Sequence, residues 1–173
     1  MRTYLAGPED LRRRELVWGM VREPAAPRYG HQSVVTRTLV ILDEHVRARR
    51  LGLVCVAPRD VVLDRRGLVV QPDVVFISNE RADIVRHYVS GAPDLVIEVE
   101  SRGTRVRDRT TKMRWYRKYG VREYWLVDPV AHRVVVVTFR DGGRPVRRRF
   151  AGERPVTSSV LPAFAVPARE FFS

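Results

Sequence analysis

Two residue types are nearly missing from this chain of 173 residues: it has one cysteine, Cys55, and two lysines, Lys112 and Lys118. A single cysteine closes no internal disulfide and builds no cysteine-based zinc site, which excludes a disulfide-stapled secreted scaffold and a zinc finger. Long apolar runs are missing too. The stretch 134–137 is typical, far short of the ~20 residues that cross a bilayer. The opening Met1-Arg-Thr-Tyr-Leu-Ala-Gly-Pro-Glu-Asp10 reaches charge before it can form the apolar stretch of a secretory signal, so a cytoplasmic location is expected. Repeats and low-complexity linkers are absent as well. With 45% hydrophobic and 30% charged residues, the chain reads as one domain, 1–173, large enough to bury a core.

Positive charge is what the chain has in excess. Lys and Arg together number 32 against 20 Asp and Glu, a formal net charge of +12, which favours a polyanionic partner such as nucleic acid. Arginine replaces lysine almost everywhere, a skew that a GC-rich genome also produces. A surviving lysine then marks a position whose chemistry arginine cannot supply, because an ammonium is a compact point charge with a tunable pKa.

The order of elements predicts a mixed α/β domain with more strand than helix. Residues 15–22 read as a first strand ended by Pro24-Ala-Ala-Pro27, and Val35, Leu39, Leu42 and Val46 mark one stripe of a helix from His31 to about Arg50. Short strands follow at 53–56 and 61–63. Asp64-Arg-Arg-Gly67 is a turn before a strand at 69–77, and 79–93 is irregular or weakly helical. Residues 94–100 form a strand apolar on both alternations, as a central strand covered on both faces would be. A helix over 106–119 stops at Gly120, and strands at 121–127, 133–139 and 145–150 make a meander. Turns and short extended pieces end the chain, docked through Leu161, Phe164, Phe171 and Phe172.

Carboxylates gather on this frame. Asp73 opens one strand, and Asp94, Glu98 and Glu100 share one face of the next. Several acids on a buried strand are costly unless a cation compensates them. That cation is either a divalent metal or arginine, with Asp94 and Glu100 then at solvated strand ends. On the following helix Asp108, Lys112, Trp115 and Tyr119 form one stripe, so Lys112 faces inward and Lys118 faces water. Lys112 meets either Asp108, one turn earlier, or the strand carboxylates or a phosphate. His31 sits on the inward face of the first long helix, as a residue near the site or as a core histidine, while Glu44 points to solvent. Asp94 is structural or supports the site from behind. Arg102, Arg105, Arg107 and Arg109 cluster beside it for phosphate contact, and Arg147-Arg-Arg149 reads as a solvated edge strand.

These residues carry a resemblance. Gln71-Pro-Asp-Val-Val75, Gly91-Ala-Pro-Asp-Leu-Val-Ile-Glu-Val99, Asp108-Arg-Thr-Thr-Lys112, Tyr116 and Gly120-Val-Arg-Glu-Tyr-Trp-Leu-Val-Asp-Pro129 resemble the Uma-type bacterial family of restriction endonucleases, within the PD-(D/E)XK nuclease superfamily. The likeness extends to Glu15-Leu-Val-Trp-Gly19, Pro27, His31 and Leu161-Pro-Ala-Phe164. It implies a restriction-endonuclease-like α+β fold, a mixed sheet flanked by helices with extra strands at both ends of the chain. It also implies catalytic Asp73, Glu98 and Lys112, with Asp73 and Glu98 as ligands of Mg2+ or Mn2+. Superfamily members commonly carry lysine two residues after the acid. Here Glu100 stands in that place, and Lys112 resembles a migrated replacement. Glu100-Ser-Arg-Gly-Thr104 also departs from the family's apolar, Ser, Pro, Ser/Thr pattern.

The resemblance implies a metal-dependent endonuclease cleaving DNA, or a nucleic-acid-binding module on the same fold that has lost cleavage. DNA is the expected partner, with a homodimer as the oligomer to test and no membrane partner.

Overall fold

Valine-rich segments bounded by turn residues form the strands, and the computed structural model describes residues 1–5, 13–101 and 103–173. In chain order the elements are α1 (Arg2–Leu5), β1 (Glu15–Val17), β2 (Met20–Arg22), α2 (Tyr29–Arg49), β3 (Gly52–Val56), β4 (Val61–Asp64), β5 (Leu68–Val70) and β6 (Val74–Ser78). A 3-10 turn (Asn79–Ile84), β7 (Val89–Ser90) and β8 (Leu95–Val99) follow. The next helix comes in three consecutive pieces: α3 (Arg105–Arg107), a π segment (Asp108–Lys112) and α4 (Met113–Tyr119). The chain closes with β9 (Glu123–Asp128), β10 (Arg133–Thr138), β11 (Val146–Ala151), β12 (Pro155–Thr157), β13 (Ala165–Pro167) and a 3-10 turn (Ala168–Phe171).

The larger sheet has the order β11-β10-β9-β8-β6-β3, a smaller one the order β2-β1-β5-β4-β7, and β12 pairs with β13. Strand β8 is central, antiparallel to β6 and parallel to β9. The α3–α4 helix therefore forms the crossover that a parallel pair needs. Alternation divides β8 between two cores. Leu95, Ile97 and Val99 pack with α2 and the carboxy-terminal segment, while Val96 packs with the smaller sheet and α4. All five residues of β8 are buried, as expected for a strand covered on both faces.

Two expected strands are broken. Residues 15–22 are not one strand but the hairpin β1–β2, turning at Trp18 (φ 50°) and Gly19 (φ 89°). Consecutive positive φ values match the twist of a two-residue hairpin, and tryptophan gives no sequence signal for one. Residues 69–77 are likewise two strands in different sheets, separated at Gln71-Pro72. Pro72 has no N–H to donate to a ladder. The Gln71 side chain instead receives the Arg14 N–H (3.0 Å) and donates to Asp60 (2.9 Å). This break puts Asp73 at the entrance to β6.

The carboxy-terminal segment docks as expected. Leu161, Phe164 and Phe171 are buried, with the Phe164 and Phe171 rings 5.5 and 6.1 Å from that of Trp125. A buried carboxylate fastens it: Glu123 accepts from Trp125 Nε1 (2.8 Å), Ser158 Oγ (2.6 Å), and both the Ser159 N–H (2.9 Å) and Oγ (2.6 Å). Arg147 and Arg149 lie exposed on the edge strand β11.

Removing the acceptor strands these donors, at about 1–3 kcal/mol for each group left buried and unsatisfied. Glu123→Ala is therefore expected to lower the melting temperature by roughly 5–10 °C, measured by calorimetry. A shift under one degree would show that the carboxylate does not hold the segment.

Candidate active site

The site lies where β6 enters the sheet beside the carboxy-terminal end of β8, roofed by the π segment and flanked by β1. Pairing of β6 with β8 sets Val74 opposite Ile97, so Asp73 comes level with the end of β8. Its Oδ2 accepts the Val99 N–H at 2.8 Å, and His31 Nε2 from α2 lies 3.5 Å from the same oxygen. Its Oδ1 accepts from Arg13 Nη1 at 2.7 Å. Burial works against the Asp73 charge, but His31, Arg13 and the Val99 N–H outweigh it and hold the pKa below the ordinary aspartate value.

Glu98, two residues before Glu100 on the same face, accepts from Lys112 Nζ (2.8 Å) and Tyr116 Oη (2.7 Å), both at Oε1. Among the described residues nothing donates to Oε2. Glu15 Oε1 sits 3.1 Å from the same ammonium, and Glu15 Oε2 is 2.6 Å from Arg107. Asp108 Oδ1 lies 3.7 Å from Nζ, too far for a hydrogen bond.

Burial pushes the Glu98 carboxyl up to about 8, helped by Asp108 and Asp73 and opposed by Lys112. Burial also disfavours the Lys112 ammonium, yet Glu98, Glu15 and Asp108 together raise its pKa above the ordinary lysine value. Arg13, Glu15, His31, Asp73, Glu98 and Lys112 all line one small cavity of about 40 Å3.

The expected trio of Asp73, Glu98 and Lys112 is thus brought to one cavity, with His31 beside it. Lys118 is exposed, its ammonium 5.1 Å from the Tyr119 ring. Glu44 is exposed. Other expectations need correction. Asp94 and Glu100 are not at solvated ends; both are buried. Asp94, at the far end of β8, accepts the Ser78 N–H (2.8 Å) and pairs with Arg122 (3.3 Å) and Arg81 (3.7 Å), away from the trio.

Glu100 is gripped by Arg109 through Nε (2.5 Å) and Nη2 (2.7 Å), with Arg105 at 3.7 Å. Arg105 also reaches Asp128 at 3.0 Å. Arg105, Arg107 and Arg109 therefore neutralise buried acids before they meet any phosphate, and Arg102 lies outside the described residues.

The inward aromatic is Tyr116, fully buried, while Trp115 and Tyr119 are only partly so. A π segment takes an extra residue into its turn, so the face that carries Asp108 and Lys112 continues at Tyr116. Arg13, Glu15 and Tyr116 were not assigned to the site from sequence. Each reaches it through a pairing with a distant segment. The one local signal was Glu15, a carboxylate opening an apolar strand.

The comparison that decides the family covers almost the whole chain: the Uma2 profile, described as "Putative restriction endonuclease", matches residues 1–169. The chain belongs to the Uma2 family. Among solved structures, that of a "putative nuclease belonging to DUF820" from Anabaena variabilis ATCC 29413 is similar, with a TM-score of 0.79 and 18% identity over 98% of this chain and 94% of that chain. At this identity the likeness shows the fold, and the mixed sheet flanked by helices is the expected one. No curated protein matches. No helix among the described residues is long and apolar enough to cross a membrane.

The donors of this Uma2 site suit a hard divalent cation. Among the described residues no three of His, Cys, Asp and Glu form a ready-made cage. Magnesium does not need one, since it takes one or two carboxylates and keeps several waters. Glu98 Oε2, to which nothing donates among the described residues, and the cavity-lining Asp73 are oxygens of that kind.

In the metal-free protein Glu98 holds its proton to about pH 8, whereas an unfolded glutamate loses it near pH ~4.3. The folded state binds more protons between these values, so stability falls as pH rises through that window. Glu98→Gln removes the dependence. Its melting temperature is expected to exceed that of the wild type by about 3 °C or more at pH 8 and to converge on it near pH 5. Parallel pH profiles for the two proteins would refute the assignment.

Proposed function

We propose that this Uma2 protein is a metal-dependent endonuclease hydrolysing phosphodiester bonds of DNA, with Asp73, Glu98 and Lys112 as its catalytic residues. The observation that supports the reading most is the meeting of two carboxylates from adjacent strands with a buried lysine at one small cavity. Asp73 and Glu98, with the backbone carbonyl near Val99, would hold Mg2+ or Mn2+. That ion, when bound, polarises the phosphodiester and lowers the pKa of a water.

The chain's own residues do the rest. Lys112 offers an ammonium toward the cavity, able to orient the attacking water or to balance charge developing on the phosphate. Tyr116 and Glu15 fix the position of that ammonium, by sharing Glu98 Oε1 and by taking a second N–H. His31 and the Val99 N–H hold Asp73 ionised. Arg105, Arg107 and Arg109, each about a quarter to two-fifths exposed, keep outward N–H groups for the DNA backbone. With the net charge of +12, they make the binding electrostatic.

Cleavage of supercoiled plasmid in Mg2+ or Mn2+ tests the chemistry. Lys112→Ala is expected to reduce the rate about 100-fold or more, and Lys112→Arg nearly as much, while Lys118→Ala stays within about twofold because its ammonium ends in solvent. Wild-type activity in Lys112→Ala would refute the role of that lysine. Duplex binding, read by fluorescence anisotropy, is expected to weaken steeply between low and moderate salt as counterions are released. Salt-sensitive binding with no cleavage in either metal would establish the binding-module reading instead.

A further inference from the structure

Arg13 holds the carboxylate that the proposed metal would take. Its Nη1 donates to Asp73 Oδ1 at 2.7 Å and its Nη2 to the Gln71 carbonyl at 2.5 Å, while its Nε is buried with no partner among the described residues. The next residue is anchored separately, through the Arg14 N–H to Gln71 Oε1 at 3.0 Å. The Arg13 side chain can therefore swing without undoing the backbone contact that leads into β1. It borders the small cavity with Glu98 and Lys112, and also a larger groove of about 640 Å3 whose lining runs from Asp73 past Pro24, Val35 and Pro58.

A divalent ion on Asp73 would compete with the guanidinium for that carboxylate. Oδ1 already accepts from Arg13 Nη1 at 2.7 Å and Oδ2 from the Val99 N–H at 2.8 Å, and two positive charges at one carboxylate repel. The displaced guanidinium then needs another planar pair of acceptors. A phosphate supplies them with the same bidentate geometry as a carboxylate.

Resting on the nuclease reading above, we infer that Arg13 is a resident cation exchanged at the site: it neutralises Asp73 in the metal-free protein, yields that carboxylate to the divalent ion, and then binds the phosphate of the DNA. Loss of a fixed structural arginine would change DNA affinity alike with and without the ion, as loss of any nearby charge does. Loss of an exchanged one tightens metal binding and weakens DNA binding only when the ion is present.

Mn2+ binding by calorimetry without DNA, and binding of a cleavage-resistant phosphorothioate duplex with and without Mn2+, separate these cases. Arg13→Gln is expected to bind Mn2+ about tenfold more tightly than the wild type, the scale of one charge-assisted hydrogen bond. It is expected to bind the duplex about tenfold more weakly in Mn2+ and about equally without metal. Arg13→Lys keeps the charge without the fork and falls between; it carries the test if Arg13→Gln melts below the assay temperature.

Unchanged or weaker Mn2+ binding in the variants, against clear binding by the wild type, overturns the exchange and leaves the nuclease reading intact. So does tighter Mn2+ binding with unaltered duplex affinity in Mn2+. Absence of Mn2+ binding in wild type and variants alike overturns both.

Discussion

The contact of the Lys112 ammonium with Glu98, 2.8 Å long and closed to solvent, is the constraint around which the rest is arranged. Holding the ammonium out of water costs several kcal/mol, and the groups around it repay this only when they approach it closely. The fold brings these groups from separate segments. Glu15 comes from β1, Tyr116 from α4 shares Glu98 Oε1, and Asp108 from the π segment adds its charge at 3.7 Å, while Arg13 with Asp73 stands at the mouth. The smaller sheet and the crossover helix are thus more than lids on a core. The helix carries the ammonium that lets a glutamate sit near the end of a central strand, and the smaller sheet carries Glu15, a further acid for that ammonium.

Two glutamates on one strand face illustrate how the surroundings decide chemistry. Glu98 is shared by a lysine and a tyrosine at one oxygen only, and its carboxyl stays hard to ionise. Glu100 is forked by Arg109 at both oxygens, with Arg105 behind. The extra carboxylate is therefore a fastener, pinning the start of the helix to the end of β8 and, through Arg105, to Asp128 on β9. With an acid rather than a lysine two residues beyond Glu98, the ammonium has to arrive from elsewhere, and the helix that Glu100 anchors is the element that brings it.

The parts legible in the sequence were those fixed by short-range pattern. Alternation gave β8 and the β9–β10–β11 meander, spacing gave α2, and Gly120, left-handed at φ 93°, gave the end of α4. Scarcity of lysine singled out Lys112, and helical phase turned it inward. What stayed hidden depends on contacts between distant segments. The break at Gln71-Pro72 follows from sheet membership that no local window contains. Arg13 reads as one more arginine until it is seen on Asp73, and Tyr116 lies off the expected stripe because a π turn shifts the phase. The arginines beside the site were found, but their acidic partners were not, so a phosphate-binding cluster was expected where neutralisation of buried acids comes first.

The geometry also explains why lysine survives at position 112 in a chain that uses arginine nearly everywhere else. Three carboxylates, from Glu98, Glu15 and Asp108, surround the ammonium at 2.8, 3.1 and 3.7 Å. They approach from three different elements. A tetrahedral ammonium has three N–H donors spread about one axis and can divide its charge among them. A guanidinium is flat, directs its donors in one plane and prefers two oxygens of a single acid, the arrangement Arg109 adopts on Glu100. At position 112 a guanidinium would serve one of the three acids at the expense of the others, with Arg107 left to compensate Glu15 alone. It would also crowd the 40 Å3 cavity that Lys112 lines with Asp73 and Glu98. The same buried acids therefore account for where arginine is used and for the one place inside the fold where it is not.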